Sequence, residues 1–125
     1  MNDVAYDAGA LVAPERNDRQ FWLGHRIRLE AGVVPIVPAP VVAQVSRSPR
    51  KAQLRRLLRG CKVLALDEPT AHAVGQLLGR SGTADIVDAT VVVAIAQQAE
   101  IVTADRNDIS QLAASAGARL VITRA

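Results

Sequence analysis

The chain has one cysteine, three aromatic residues, two lysines and no apolar run of membrane length. A single thiol, Cys61, cannot form an internal bridge. That excludes a disulfide-stapled fold and points to a reducing compartment. With only Tyr6, Phe21 and Trp22 as aromatics, the core must be filled by Val, Leu, Ile and Ala. No charged-then-apolar leader opens the sequence, and no stretch approaches the ~20 apolar residues of a membrane helix. The expectation is a cytoplasmic protein without a membrane partner. A glycine-rich phosphate loop, zinc-ligand spacing and a Ser/His/Asp arrangement are all missing, which removes the commonest nucleotide, zinc and serine-hydrolase signatures.

What remains suits one compact unit. At 125 residues the chain fits a single domain, 1–125, able to bury a core without staples. Half of its residues are apolar, and its net charge of +3 is unevenly spread. Between Arg47 and Lys62 stand seven basic residues (Arg47, Arg50, Lys51, Arg55, Arg56, Arg59, Lys62) and no acid. Between Asp85 and Asp108 stand five acids and one arginine. A basic helix beside an acidic pocket suits an enzyme that cuts phosphodiesters, although a charge run is as often only a solvated face.

Short apolar runs alternate with helical patterns, which predicts an α/β fold with a mostly parallel sheet. A brief first strand over 3–6 ends at Asp7, and a helix from Ala8 stops near Pro14. Asn17 or Asp18 caps a second helix through Phe21, Trp22, Ile27 and Leu29, closed by Gly32. Residues 33–37 read as a buried strand, with Pro35 marking an edge or a bulge. Pro40 opens a helix carrying Val41, Val42, Gln44 and Val45. Ser48-Pro49 opens the basic helix, whose Leu54, Leu57, Leu58 and Cys61 fall at i, i+3, i+4, i+7. A third strand over 63–66, a helix over 68–78 and a loop over 79–82 follow. The valines at 91–93 favour a strand, but the unbroken length of 86–99 and its alanines favour a buried helix. The pattern ends with a strand over 101–103, a helix opened by a D-x-x-Q capping box at Asp108 and ended by Gly117, and a strand over 118–123.

In an open parallel sheet, ligands sit at the carboxyl ends of the strands. Asp7 ends the first strand and Asp105 the fourth. Asp88 lies near the start of the helix that leads into the Asp105 strand, so all three carboxylates should meet at one edge. Packed together they would repel, which a magnesium or manganese ion resolves, and a water on that ion could attack a phosphodiester. Each acid has a plainer role open to it. Asp7 could simply cap the helix after it, Asp85 the helix bearing Asp88, and Asp108 its own capping box. Asp88 is harder to explain away, being a charge on an almost wholly apolar helix. Asp67 and Glu68 begin the next helix. His25 and His72 are lone histidines suited to packing, and Cys61 is most simply a buried hydrophobe.

With these residues in hand, the chain resembles the PIN-domain family, above all VapC-like ribonuclease toxins of type II toxin–antitoxin systems. Asp7-Ala8-Gly9-Ala10-Leu11-Val12 is similar to the family's strand-end aspartate and small-residue helix. Asp85-Ile86-Val87-Asp88-Ala89, followed by Val92 and Ala94, is similar to its D-A-x-x-A segment. Thr103-Ala104-Asp105-Arg106-Asn107-Asp108-Ile109 matches T-x-D-x-x-D-[FIL]. The order of elements agrees over the full length. The resemblance implies a PIN-like three-layer sandwich, a central, mostly parallel sheet flanked by helices. It implies a Mg2+- or Mn2+-dependent endoribonuclease acting on tRNA, rRNA or mRNA, often homodimeric and inhibited by a VapB-like antitoxin. Asp7, Asp88 and Asp105 take the roles of metal ligands and catalytic acids, with Gln44, Asp85 and Asp108 as auxiliaries. Arg50, Arg55, Arg56 and Arg59 would contact RNA.

One position departs from the family. The helix after the second strand usually carries a glutamate, and Gln44 stands there, in Val42-Ala43-Gln44-Val45. An amide oxygen can bind a metal or orient a water, but it adds no charge and cannot serve as a base. A second reading follows, a catalytically weak PIN-like module that binds RNA or antitoxin. A receiver domain using Asp67 as phosphate acceptor is excluded, because it needs a lysine at the end of its last strand and none stands there.

Overall fold

The computed structural model describes residues 4–47, 51–94, 100–103, 106–115 and 121–124. Five strands form one sheet in the order β3-β2-β1-β4-β5, and every pairing is parallel. The strands are β1 (Val4–Tyr6), β2 (Ile36–Pro38), β3 (Lys62–Leu64), β4 (Glu100–Thr103) and β5 (Val121–Arg124). Between them lie α1 (Ala8–Val12), a 3-10 turn (Pro14–Arg16), α2 (Arg19–Glu30), α3 (Ala39–Val45), α4 (Ala52–Arg59), α5 (Glu68–Ser81), α6 (Ile86–Ala94) and α7 (Arg106–Ser115).

Strand order fixes the layers. The chain moves outward from β1 to β2 to β3, then crosses back to β4 and β5 on the other side of β1. With right-handed crossovers, α1 to α4 cover one face and α5 to α7 the other. Within each layer the helices touch: α5, α6 and α7 contact one another, and α1 contacts α3 and α4, while α3 also contacts α6 of the other layer. The central strands are buried on both sides, as parallel strands under two helical layers must be. Val4, Ala5, Tyr6, Ile101 and Val102 all belong to the core, whereas Val63 on the outer strand β3 is exposed.

Helix α6 settles the ambiguous valines. Residues 88–92 are buried in succession, so the helix is enclosed all round and burial overrides the strand preference of Val91 and Val92. Its expected extension over 95–99 lies outside the described residues, as do Gly117 and the opening of the last strand.

Several boundaries differ from expectation, each for a local reason. The second strand begins at Ile36 because Val33 spends its N–H on the Arg28 carbonyl (2.9 Å), closing α2, and Pro35 has no N–H to give. Nor is this strand an edge: β2 lies between β1 and β3, and Pro35 accepts the Lys62 N–H at 2.8 Å from just outside the ladder. Helix α5 runs through Gly79 to Ser81 and stops at Gly82, which adopts a left-handed φ of 68°. The third strand is Lys62–Leu64, one residue earlier and shorter than its apolar run. The basic helix starts at Ala52 rather than at Ser48-Pro49. Helix α7 begins at Arg106, so Asp108 falls within its first turn instead of capping it. An acid there is still favoured by the helix dipole.

Candidate active site at the carboxyl edge of the sheet

The crossover reverses direction between β1 and β4, so the crevice outside the carboxyl ends of those two strands is where an open α/β sheet binds ligands. Asp7 stands at that crevice. Its N–H donates to the Val102 carbonyl (3.2 Å), extending the β1–β4 ladder by one bond, and its own carbonyl accepts from Leu11. Its Oδ1 accepts the Ala10 N–H at 3.0 Å, capping α1. The capping role and burial coexist: Asp7 is only 2% exposed. The cap ties down one carboxylate oxygen.

Asp88 is also buried, at 8% exposure, in the first turn of α6. A helix that leads into a parallel strand runs antiparallel to it, so α6 starts over the same edge, and it packs on β1 and β2. Its N–H donates to Asp85 Oδ1 at 3.0 Å. Asp85 therefore caps α6 as its plainer reading held, and its side chain is exposed. Thr103, fully buried, closes β4. Asp105 lies outside the described residues, as does the side chain of Asp108. Among the described residues no group of three or more His, Cys, Asp or Glu side chains is close enough to hold a metal. Asp7 and Asp88 offer carboxylate oxygens, the donor type that a hard cation such as Mg2+ or Mn2+ prefers.

Gln44 is solvent-exposed near the end of α3, and its backbone carbonyl accepts the Arg47 Nε–H at 3.2 Å. On α4, Leu54 and Leu57 face the core while Arg55, Arg56 and Arg59 are exposed; Arg50 lies outside the described residues. The Arg56 guanidinium sits 5.0 Å from the Trp22 ring centre. Together with His25, Arg26, Leu29 and Gly60 these two line a groove of about 370 Å³ between α2 and the end of α4.

A chain of this fold was found among solved structures. A chain in the crystal structure of VapBC2 from Rickettsia felis bound to a DNA fragment from their promoter superposes with a TM-score of 0.69. The match covers 98% of each chain at 12% identity. The fold is PIN-like. At that identity the PIN-like likeness speaks for architecture alone. No family model and no curated protein matches the sequence.

Two features lay beyond the sequence reading. Under β1, the Tyr6 hydroxyl lies 2.8 Å from His25 Nδ1 and accepts from Arg28 Nη1 at 3.4 Å. Burial, then the nearby Arg28, lowers the His25 pKa. The spacing of Phe21 and His25, four apart on one helical face, was the available signal. The other is Glu15, whose Oε1 accepts the Leu54 N–H at 2.9 Å across 39 residues of sequence. No local pattern announces such a bond. His72 is exposed, 3.7 Å from Glu68, and Cys61 is half-buried with its thiol pushed up to about 12 by burial. Both fit packing or surface roles. No helix among the described residues is long and apolar enough to cross a membrane.

Proposed function

We propose that this chain is a Mg2+- or Mn2+-dependent endoribonuclease, the toxin of a toxin–antitoxin pair, in which Asp7, Asp88 and Asp105 hold the cation. The observation that carries the reading is the burial of two carboxylates, Asp7 and Asp88, from distant parts of the chain at the switch point of a PIN-like sheet. Both acids stand on segments that start at the carboxyl edge of the sheet, where open α/β sheets bind ligands, and carboxylates grouped at such an edge suit a hard cation. A bound divalent ion would supply Lewis acidity and lower the pKa of a coordinated water.

The protein's own contribution is placement. The Ala10 N–H restrains the Asp7 carboxylate, and the Asp85 cap fixes the turn of α6 that carries Asp88. Arg55, Arg56 and Arg59, exposed on α4, attract the RNA backbone. Likeness to a chain of VapBC2 supports a VapB-like antitoxin as partner, its tail reaching the acidic edge with an arginine or lysine in place of the metal. A homodimer and a cytoplasmic setting complete the proposal.

Incubating RNA with the protein and Mn2+ tests it. Cleavage is expected, and it should vanish in EDTA and in Asp7→Asn. RNA binding without cleavage at saturating Mn2+ would favour the weak module that exposed Gln44 suggests. Expression with the product of a neighbouring short gene should yield a complex; a solitary protein would remove the toxin–antitoxin part.

A further inference from the structure

Helix α4 does not cap itself. Its N-cap residue is Lys51, which makes no side-chain capping bond, and no acid stands in its first turn. Eight residues are too few for a helix to persist in water without outside support. Leu54 and Leu57 give it an apolar stripe, but apolar contact is non-directional and leaves position along the axis weakly defined. The directional bond comes from elsewhere: Glu15 Oε1 accepts the Leu54 N–H at 2.9 Å.

Glu15 is itself held firmly. It is the middle residue of the 3-10 turn, where Arg16 and Asp18 donate to the Ala13 carbonyl (3.1 and 3.3 Å) and Asn17 to that of Pro14 (3.1 Å). That turn follows α1 directly, and α1 is capped by Asp7. One short segment, 7–15, therefore carries both the buried aspartate of the sheet edge and the clamp on the cationic helix.

We propose that Glu15 is a positioning residue that sets α4, with Arg55, Arg56 and Arg59, in register with the acidic edge. The proposal rests on the RNA-binding role given to α4 above. It has a sign that simple charge does not. Glu15 is an anion beside a cationic helix, so on Coulomb grounds its removal should tighten RNA binding. If it positions the arginines, its removal should weaken binding, roughly tenfold for contacts that lose their geometry.

The test measures RNA binding in EDTA, so that no strand is cut, for wild type, Glu15→Gln and Glu15→Ala. Glu15→Gln keeps the acceptor and should bind at least as tightly as wild type; Glu15→Ala should bind more weakly. Trp22, the only tryptophan, lies under Arg56 and reports the place of α4 without RNA. Its emission should shift in Glu15→Ala and not in Glu15→Gln. If Glu15→Ala proves unstable, Lys51→Ser supplies a local cap, and the double variant is compared with Lys51→Ser alone. Restored melting with weak RNA binding and shifted emission supports the proposal. Binding equal to or tighter than the control, or unchanged Trp22 emission, overturns it. Should replacing Arg55, Arg56 and Arg59 with alanine leave RNA affinity unchanged, the RNA role of α4 fails. The emission series would still decide whether Glu15 places the helix.

Discussion

Asp7 and Asp67 do the same local work in two strands of one sheet. Each ends its strand region in extended backbone (φ −93°, ψ −174° and φ −86°, ψ 174°), and each caps the helix that follows. Each accepts the N–H three residues on, Ala10 at 3.0 Å and Thr70 at 2.9 Å. Yet Asp7 is buried while Asp67 is exposed. Strand order makes the difference: β1 is central and faces the crossover reversal, whereas β3 is the outer strand. Local sequence makes a cap. Topology decides whether the cap is also buried.

The largest expected effect follows from this pair. Asp7→Asn keeps an oxygen for the Ala10 N–H, so stability should change little, while cleavage should fall by on the order of a hundredfold or more. Asp67→Asn should leave cleavage untouched. Thr70, through its hydroxyl and then its N–H, holds Asp67 below the usual carboxylate range, and exposure to solvent keeps the consequence small. Measuring kcat for both variants beside their melting curves breaks the comparison if the two losses of activity are equal.

The same contrast explains what was legible in the sequence. Caps are local, so Asp7, Asp18, Asp67 and Asp85 were all readable as helix starts, and the order of strands and helices emerged from apolar spacing. Burial of Asp88 was legible because a charge on an apolar helix has few alternatives. Boundaries set by distant groups were not. The start of α4 depends on Glu15, and the start of β2 on how α2 ends at Arg28 and Val33. Asp108 misled for the opposite reason. Its D-x-x-Q spacing meets the local rule, but α7 begins two residues earlier. Position 44 stayed open because helix periodicity does not say which way a residue between two buried valines, Val41 and Val45, turns at the sheet edge.

Gln44 sharpens the comparison at an intermediate strand, since α3 follows β2, which lies between β1 and β3. If the edge by β2 belongs to the site, Gln44→Glu adds a fourth negative charge. Metal affinity should then rise, by roughly tenfold, because ligand charge count tunes divalent binding. Cleavage at low Mg2+ should rise with it, and the gain should shrink as Mg2+ saturates. Gln44→Ala should be nearly silent if the amide does no more than face solvent. Unchanged affinity in Gln44→Glu would place β2 with β3, outside the site.

The smallest expected effect concerns what lies beneath the two strands. Below β1, Tyr6 is fully buried against Phe21 and His25, with ring centres 5.3 and 5.7 Å away. Among the described residues no aromatic cluster lies under β3, where Val63 is exposed. The support is acid-sensitive. His25 Nδ1 can accept from the Tyr6 hydroxyl only in a neutral ring, and protonation would set a second cation near Arg28. Burial and Arg28 hold the His25 pKa below its usual value, so the unfolded chain binds the proton first. Stability is therefore complete above about pH 6.5 and declines as pH falls from there toward the lowered folded value. One proton limits the slope to about 1.4 kcal/mol per pH unit. Denaturant midpoints between pH 7.5 and 5.5 should fall for wild type and for His72→Gln, whose imidazole is exposed. In His25→Gln the acid-dependent part should disappear, whatever the starting stability. A wild-type slope that survives in His25→Gln would mean that the acid sensitivity lies in the carboxylates of the sheet edge, and that β1 owes its rigidity to the ladder rather than to the cluster beneath it.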